Sequence, residues 1–127
     1  MTAVLIDTSI WRRYVSGRTT VAESNALGEL LDEDGGVLIH PAVIGELVLG
    51  GISTKQQEYF SRLPHVAEVS SVDLLDFIRA RKLAREGVGW VDAQLLASAL
   101  VAGVKLWSAD ARLAAAAQRM GAGFAPN

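Results

Sequence analysis

The chain contains no cysteine. That excludes a disulfide scaffold, a thiolate nucleophile and any thiolate-ligated zinc or iron–sulfur centre. Histidine is scarce: the two residues, His40 and His65, are too far apart for the His-x-x-x-His pair of a helical metal site. No apolar run is long enough for a transmembrane helix. The opening Met1-Thr2-Ala3-Val4-Leu5-Ile6-Asp7 has no basic stretch and meets an acid too early for a signal peptide. A net charge of −2 lacks the basic excess common in nucleic-acid-binding domains. A soluble, cytoplasmic protein is expected.

What is present is ordinary globular composition: 127 residues, 50% hydrophobic and 20% charged. A chain of this length buries roughly two thirds of its unfolded surface, enough for one domain spanning 1–127. Val4-Leu5-Ile6 reads as a short buried strand stopped by Asp7-Thr8-Ser9. Thr20 with Glu23, and Ser53 with Gln56, are capping boxes that open helices over 21–33 and to Arg62. Val37-Leu38-Ile39 is a second strand, and Pro41 opens a helix to Leu49. Val66–Val69 is expected as a third strand, and Ser70 with Asp73 starts a helix to Glu86. The Ala- and Leu-rich run 91–102, stopped by Gly103, is the strongest helix. A strand over 104–107, a helix from Asp110 to Met120 and an edge strand at Phe124-Ala125 complete the chain. Short apolar strands alternating with helices predict an α/β fold with a mostly parallel sheet covered on both faces.

In such sheets, sites form beyond the carboxyl ends of the strands, so acids there carry the most information. Most of the fourteen Asp and Glu have local duties. Glu23 completes a cap, Asp73 and Asp76 complement a helix start, and Glu58 can pair with Arg62 at i+4. Four acids do not reduce so easily. Asp7 leaves the first strand directly. Glu46 has Ala42, Val43, Leu49 and Gly50 as its helical neighbours, so it projects from an apolar stripe. Asp92 has Leu95 and Leu96 beside it on the most apolar helix. A carboxylate on a core face is costly unless paired or metal-bound. Asp110 opens the last helix and alone would be an ordinary N-cap. Together these four can converge at one sheet edge, where a hard divalent cation would relieve their repulsion. Such a cation can also activate water against a phosphodiester.

Four segments in order resemble the PIN-domain ribonucleases, specifically the VapC-type toxins of type II toxin–antitoxin pairs. They are Val4-Leu5-Ile6-Asp7-Thr8-Ser9, Pro41-Ala42-Val43-Ile44-Gly45-Glu46-Leu47, Gly89-Trp90-Val91-Asp92-Ala93-Gln94-Leu95-Leu96 and Leu106-Trp107-Ser108-Ala109-Asp110-Ala111-Arg112-Leu113. The resemblance implies a PIN-like three-layer sandwich and a metal-dependent endoribonuclease using Mg²⁺ or Mn²⁺. It makes Asp7, Glu46, Asp92 and Asp110 the acidic quartet. Asp7 and Asp92 would be the direct ligands, with Glu46 and Asp110 acting through water. Thr8, Ser9 and Ser108 would be hydroxyls that steady carboxylates or contact a phosphate. The chain departs from the pattern at Gln94, where relatives often carry His, and at Ala109 or Ala111, where they carry a longer or basic side chain. Both departures concern substrate preference.

The resemblance also implies a homodimer and inhibition by a VapB-type antitoxin, in a toxin–antitoxin hetero-oligomer. Arg12 and Arg13 are candidate RNA contacts; Arg79, Arg81, Lys82 and Arg85 read as a solvated basic helix face. Trp107 and Met120 read as core, and His40 as structural. Trp11, Trp90 and Trp107 are residue types that could stack bases, and Trp11 and Tyr14 are equally candidates for an antitoxin groove. Two other readings share these acids: a PIN-fold binding module that does not cut, and a housekeeping PIN nuclease that is not a toxin. A response-regulator receiver is disfavoured by the single acid after the first strand, and an Asp-x-Asp phosphatase by Asp7-Thr8-Ser9.

Overall fold

A computed structural model describes residues 3–126; Met1, Thr2 and Asn127, at the expected domain limits, lie outside the described residues. Strand β1 (Val4–Ile6) is the centre of a parallel sheet ordered β2-β1-β3, with β2 (Val37–Leu38) and β3 (Lys105–Trp107) on its two sides. Every side chain of β1 is fully buried, as a strand covered on both faces requires. The covering helices are α1 (Thr8–Val15), α2 (Val21–Asp32), α3 (Pro41–Leu49), α4 (Thr54–Ser61), α5 (Ser71–Ala80), α6 (Trp90–Ala102) and α7 (Ala111–Arg119). Among the described residues no helix is long and apolar enough to cross a membrane.

Local chemistry sets most of the boundaries. Both capping boxes form, Thr20 with Glu23 and Ser53 with Gln56. Gly103 stops α6 in the left-handed conformation, φ +69°, that a side chain would resist. Helix α6 buries Ala93, Leu95, Leu96, Ala97, Ser98 and Ala99, which accounts for its Ala- and Leu-rich sequence.

Three expectations fail for tertiary reasons. Val66–Val69 is not a strand: only a single parallel bridge joins His65 to Ile39. The Gln94 side chain takes the place of a strand partner. Its Oε1 accepts from Val69 N at 2.7 Å and its Nε2 donates to Val69 O at 2.8 Å. Helix α5 ends at Ala80 rather than Glu86, because the chain turns to bury Leu83, and Lys82 (φ +55°) and Arg85 (φ +70°) adopt left-handed conformations that no α-helix contains. Arg79, Arg81, Lys82 and Arg85 therefore span a helix end and a turn rather than one helical face. The terminal edge strand shrinks to a parallel bridge between Leu106 and Gly123, ahead of Phe124-Ala125.

Gln94 is the polar hub of an otherwise apolar helix. Its Oε1 also accepts from Ser98 Oγ at 3.1 Å and faces His40 Nε2 at 3.3 Å. Gln94→Leu strands the Val69 backbone groups and the buried Ser98 hydroxyl without partners. Each buried polar group left unpaired costs about 1–3 kcal/mol. Gln94→Leu should therefore lower the unfolding free energy by at least about 2 kcal/mol in urea. An unchanged midpoint would refute the hub role.

Candidate active site

The sheet register aligns the exits of its three strands. Val4 pairs with Val37 and Leu5 with Leu38, while Ile6 pairs with Trp107. The chain therefore leaves the sheet level at Asp7, His40 and Ser108. Each exit leads into a helix start: Asp7 is the N-cap of α1, His40 of α3 and Asp110 of α7. The positive ends of these helices point at one edge, which favours carboxylates there and anions brought to them.

Asp7 is the most enclosed of the acids, only 5% exposed. Its Oδ1 accepts from Ser9 N at 2.8 Å and from the Ser9 hydroxyl; its Oδ2 accepts from Ser108 Oγ at 2.7 Å. Ser9 Oγ in turn accepts from Ala109 N at 2.9 Å, and Ser108 Oγ from Asp110 N at 2.9 Å. The two hydroxyls thus tie the β1–α1 junction to the β3–α7 junction and lock the Asp7 carboxylate between them. Burial pushes the Asp7 carboxyl above its ordinary value, against the lowering pull of these hydrogen bonds.

Glu46 approaches from α3. Its Oε1 accepts from the buried Thr8 hydroxyl at 2.6 Å. Asp92 stands in the first turn of α6, half-buried. Its Oδ2 makes one long contact with Gly89 N at 3.5 Å. Burial raises its carboxyl first, and the negative charges of Asp7, Asp110 and Glu46 raise it further. The four acids therefore share one electrostatic neighbourhood. Asp110 spends one oxygen, Oδ1, on Arg112 N at 2.9 Å and Leu113 N at 3.1 Å.

Among the described residues, no three of His, Asp and Glu stand together as a ready-made metal-ligand group. The donor set nonetheless suits a hard cation. A carboxylate offers about four lone pairs. Asp7 spends three on the contacts above, which leaves one on Oδ2. Glu46 Oε2, Asp92 Oδ1 and Asp110 Oδ2 have no hydrogen-bond partner among the described residues. All four acids keep an oxygen for a ligand, and oxygen is what Mg²⁺ and Mn²⁺ prefer.

The basic candidates divide. Arg13 is held by Glu23 in a salt bridge that the sequence did not reveal, because Glu23 already had its capping role. Arg12 has no side-chain partner among the described residues. It lines a cavity of about 670 Å³ with Arg13, Arg18, Leu47 and Gly50. Thr8 and Arg12 lie one turn apart on α1, and Glu46 and Gly50 one turn apart at the end of α3, so this basic cavity begins one helical turn from the Thr8–Glu46 contact. Arg18 is the member that sequence reading missed. Arg112 is a second missed cation. Its side chain lies across Gly87, where an added Cβ would come within 2.4 Å of Arg112 Cδ. Gly87 also adopts φ +75°, so the loop before Asp92 needs glycine there twice over.

Several other side chains are structural. Trp11 is fully buried, edge-on to Tyr14 and Phe60 at centroid distances of 5.6 and 5.0 Å, so it offers no surface to RNA or a partner. Trp107 is core as expected. His40 Nδ1 accepts from Ala42 N at 3.0 Å, which makes Nε2 the protonated nitrogen of a neutral ring. Burial holds this imidazole below its ordinary value. Glu58 does not pair with Arg62; among the described residues the second ion pair is Glu86 with Arg119, at 2.6 Å.

A PIN domain family model matches residues 4–119. The chain belongs to the PIN domain family. It is 35% identical over 125 residues to Ribonuclease VapC32 of Mycobacterium tuberculosis, in strains CDC 1551 / Oshkosh and ATCC 25618 / H37Rv alike, with 96% of each chain covered. The crystal structure of PAE2754 from Pyrobaculum aerophilum shares the fold, with a TM-score of 0.60 at 12% identity over 97% of this chain and 88% of that one.

Proposed function

We propose that this single PIN domain, spanning 1–127, is a VapC-type toxin: an endoribonuclease that depends on Mg²⁺ or Mn²⁺ and is inhibited by a VapB-type antitoxin. The observation that carries the reading is the shared charge neighbourhood of Asp92, Asp7, Asp110 and Glu46 at one sheet edge. The 35% identity to Ribonuclease VapC32 supports RNA as the substrate.

Asp7 and Asp92 would hold the metal directly, with Glu46 and Asp110 engaging it through water. Bound there, the cation supplies charge neutralisation and an activated water for attack on the phosphodiester. Ser9 and Ser108 fix the Asp7 carboxylate so that its remaining lone pair points one way. Thr8 does the same for Glu46. The helix starts at this edge favour the substrate phosphate. A homodimer and a toxin–antitoxin complex are the assemblies this reading entails. The exposed Leu49, Val72 and Leu75 offer them apolar surface.

The test is incubation of the purified, antitoxin-free protein with total cellular RNA, followed by sequencing of the new ends. Discrete cuts with Mg²⁺ or Mn²⁺ that vanish with chelator are expected. No cuts under any metal would favour a binding module over a nuclease.

The basic cavity makes a separate prediction. If Arg12 and Arg18 hold substrate phosphates, the Arg12→Ala/Arg18→Ala protein should bind single-stranded RNA more weakly whatever its sequence. Single-strand binding loses about 0.7 in salt slope per phosphate contact, so the double variant should flatten the log–log salt dependence by about 1.4. An unchanged slope would remove these arginines from the RNA path.

A further inference from the structure

A second recess lies beside the acids, between the start of α3 and the start of α6. Its volume is about 370 Å³, within the range of small-ligand pockets. Trp90 and Val91 line it from α6, Pro41 and Ala42 from α3, and Glu68 from the segment that the Gln94 amide holds in place. His40 and Gln94 complete the lining.

Two of these side chains have no structural employment. Trp90 is 50% exposed, although it is the largest side chain type available and the other two tryptophans are buried. Glu68 is exposed and makes neither an ion pair nor a side-chain hydrogen bond among the described residues. The recess also adjoins the acids through both helices that frame it. Ala42 lies one turn before Glu46 on α3, and Trp90 and Gln94 flank Asp92 on α6. Trp90 and Gln94 share one side of α6, with Asp92 on the other, about a helix diameter away. That places the recess at a base flanking the cut, not at the reacting phosphate.

We propose that this recess holds a guanine base of the RNA substrate, stacked on Trp90 and read by the Glu68 carboxylate. The proposal rests on the ribonuclease reading for its substrate class. Unpaired bases in RNA are recognised by stacking on aromatic rings and by hydrogen bonds along their pairing edge. A carboxylate only accepts hydrogen bonds. Guanine alone presents two adjacent donors, N1–H and the 2-amino group, to both oxygens of one carboxylate. Adenine and cytosine place an acceptor beside their single amino group, and uracil flanks its one N–H with two carbonyls. The Gln94 amide has one hydrogen committed to Val69 O, and its second is a donor for the guanine O6. Gln94 thereby links the recess to the fold: the amide that fixes the Glu68 segment also lines the base site.

The test uses tryptophan fluorescence. Trp11 and Trp107 are 0% and 2% exposed, so a nucleotide in the recess quenches Trp90. The protein is titrated in turn with guanosine, adenosine, cytidine and uridine monophosphates. Guanosine monophosphate should give saturable quenching at least about tenfold tighter than the other three, the discrimination of one good bidentate contact. Trp90→Phe should lose the signal, which assigns it. Glu68→Gln replaces one accepting oxygen by a donor and should reduce the guanine preference to the level of the other bases. Both sites lie on the surface, and a melting curve for each variant confirms its fold. Equal quenching by all four nucleotides, or a guanine preference that survives Glu68→Gln, would overturn the proposal. Selective quenching by a protein that cuts no RNA would instead retain the base site and overturn the nuclease reading. RNA cleavage without guanine-selective quenching would do the reverse.

Discussion

Asp92→Asn is expected to lower the rate of RNA cleavage at least about a thousandfold. A metal centre contributes several kcal/mol of transition-state charge stabilisation, and each 1.36 kcal/mol is a factor of ten in rate. The substitution keeps size and shape and removes only the charge. Asp92 is half-buried, and its one side-chain hydrogen bond among the described residues is the long bond from Gly89 N, so the fold should be unaffected. The change also removes one negative charge from the neighbourhood that Asp92 shares with Asp7, Asp110 and Glu46. Asp110→Asn is a useful companion, because asparagine caps a helix as well as aspartate does. A loss there reports on charge and not on the start of α7. Glu58→Gln, at an exposed position of α4 with no side-chain partner among the described residues, should leave the rate alone. A rate within threefold of wild type for Asp92→Asn would remove it from the active centre.

Asp7→Asn should invert the order of stability between metal-free and metal-loaded protein. Burial raises the Asp7 carboxyl above its unfolded value. The folded state therefore binds that proton more tightly than the unfolded state. The resulting stabilisation is complete below the ordinary carboxyl value and is lost as pH rises through the raised one. At neutral pH, in chelator, the ionised Asp7 and its neighbours weigh against the fold. Asparagine removes that burden, keeps the N-cap and still accepts from Ser9 N. The variant should then melt a few degrees above wild type, roughly the shift from 1 kcal/mol in a domain of this size. The gap should close as pH falls through the raised Asp7 value into the ordinary carboxyl range. Millimolar Mn²⁺ should reverse the order. A ligand at a hundred times its Kd stabilises the folded state by about 2.7 kcal/mol, or about 10 °C here. Asp7→Asn should gain little of it. Identical melting of wild type in chelator and in Mn²⁺ would count against a metal site.

Much of this was legible because it is local. A capping box is four residues long, and Thr20–Glu23 and Ser53–Gln56 both formed where the sequence placed them. Pro41 and Gly50 bound α3 at its expected ends. Glu46 and Asp92 stood out because each is an acid where periodicity calls for an apolar side chain, and Asp7 because it leaves the first strand directly; the electrostatic influence of Asp7, Glu46 and Asp110 on Asp92 puts the four in one neighbourhood.

What escaped depends on partners distant in the chain. The segment 66–69 has the composition of a strand, but a side-chain amide 25 residues away satisfies the Val69 backbone. A hint existed: Gln94 and Ser98 are a polar i,i+4 pair on an otherwise apolar helix. Leu83 pulls the chain out of α5 because its burial outweighs the local preference to continue the helix. Trp11 carries no sign of its partner Phe60, and Arg13 none of Glu23, since neither pair falls at helical or strand spacing. The crossing of Arg112 over Gly87 is likewise visible only once α7 is packed.

The central claim is that four carboxylates from separate elements form one divalent-cation site. Electron paramagnetic resonance of Mn²⁺ tests it without recourse to any RNA. Titrated into the wild-type protein, Mn²⁺ should lose its free-ion signal at stoichiometric additions. Asp7→Asn and Asp92→Asn should abolish that loss, and Glu46→Gln and Asp110→Asn should weaken it. Undiminished Mn²⁺ binding in all four variants, or none in the wild type, would contradict the account.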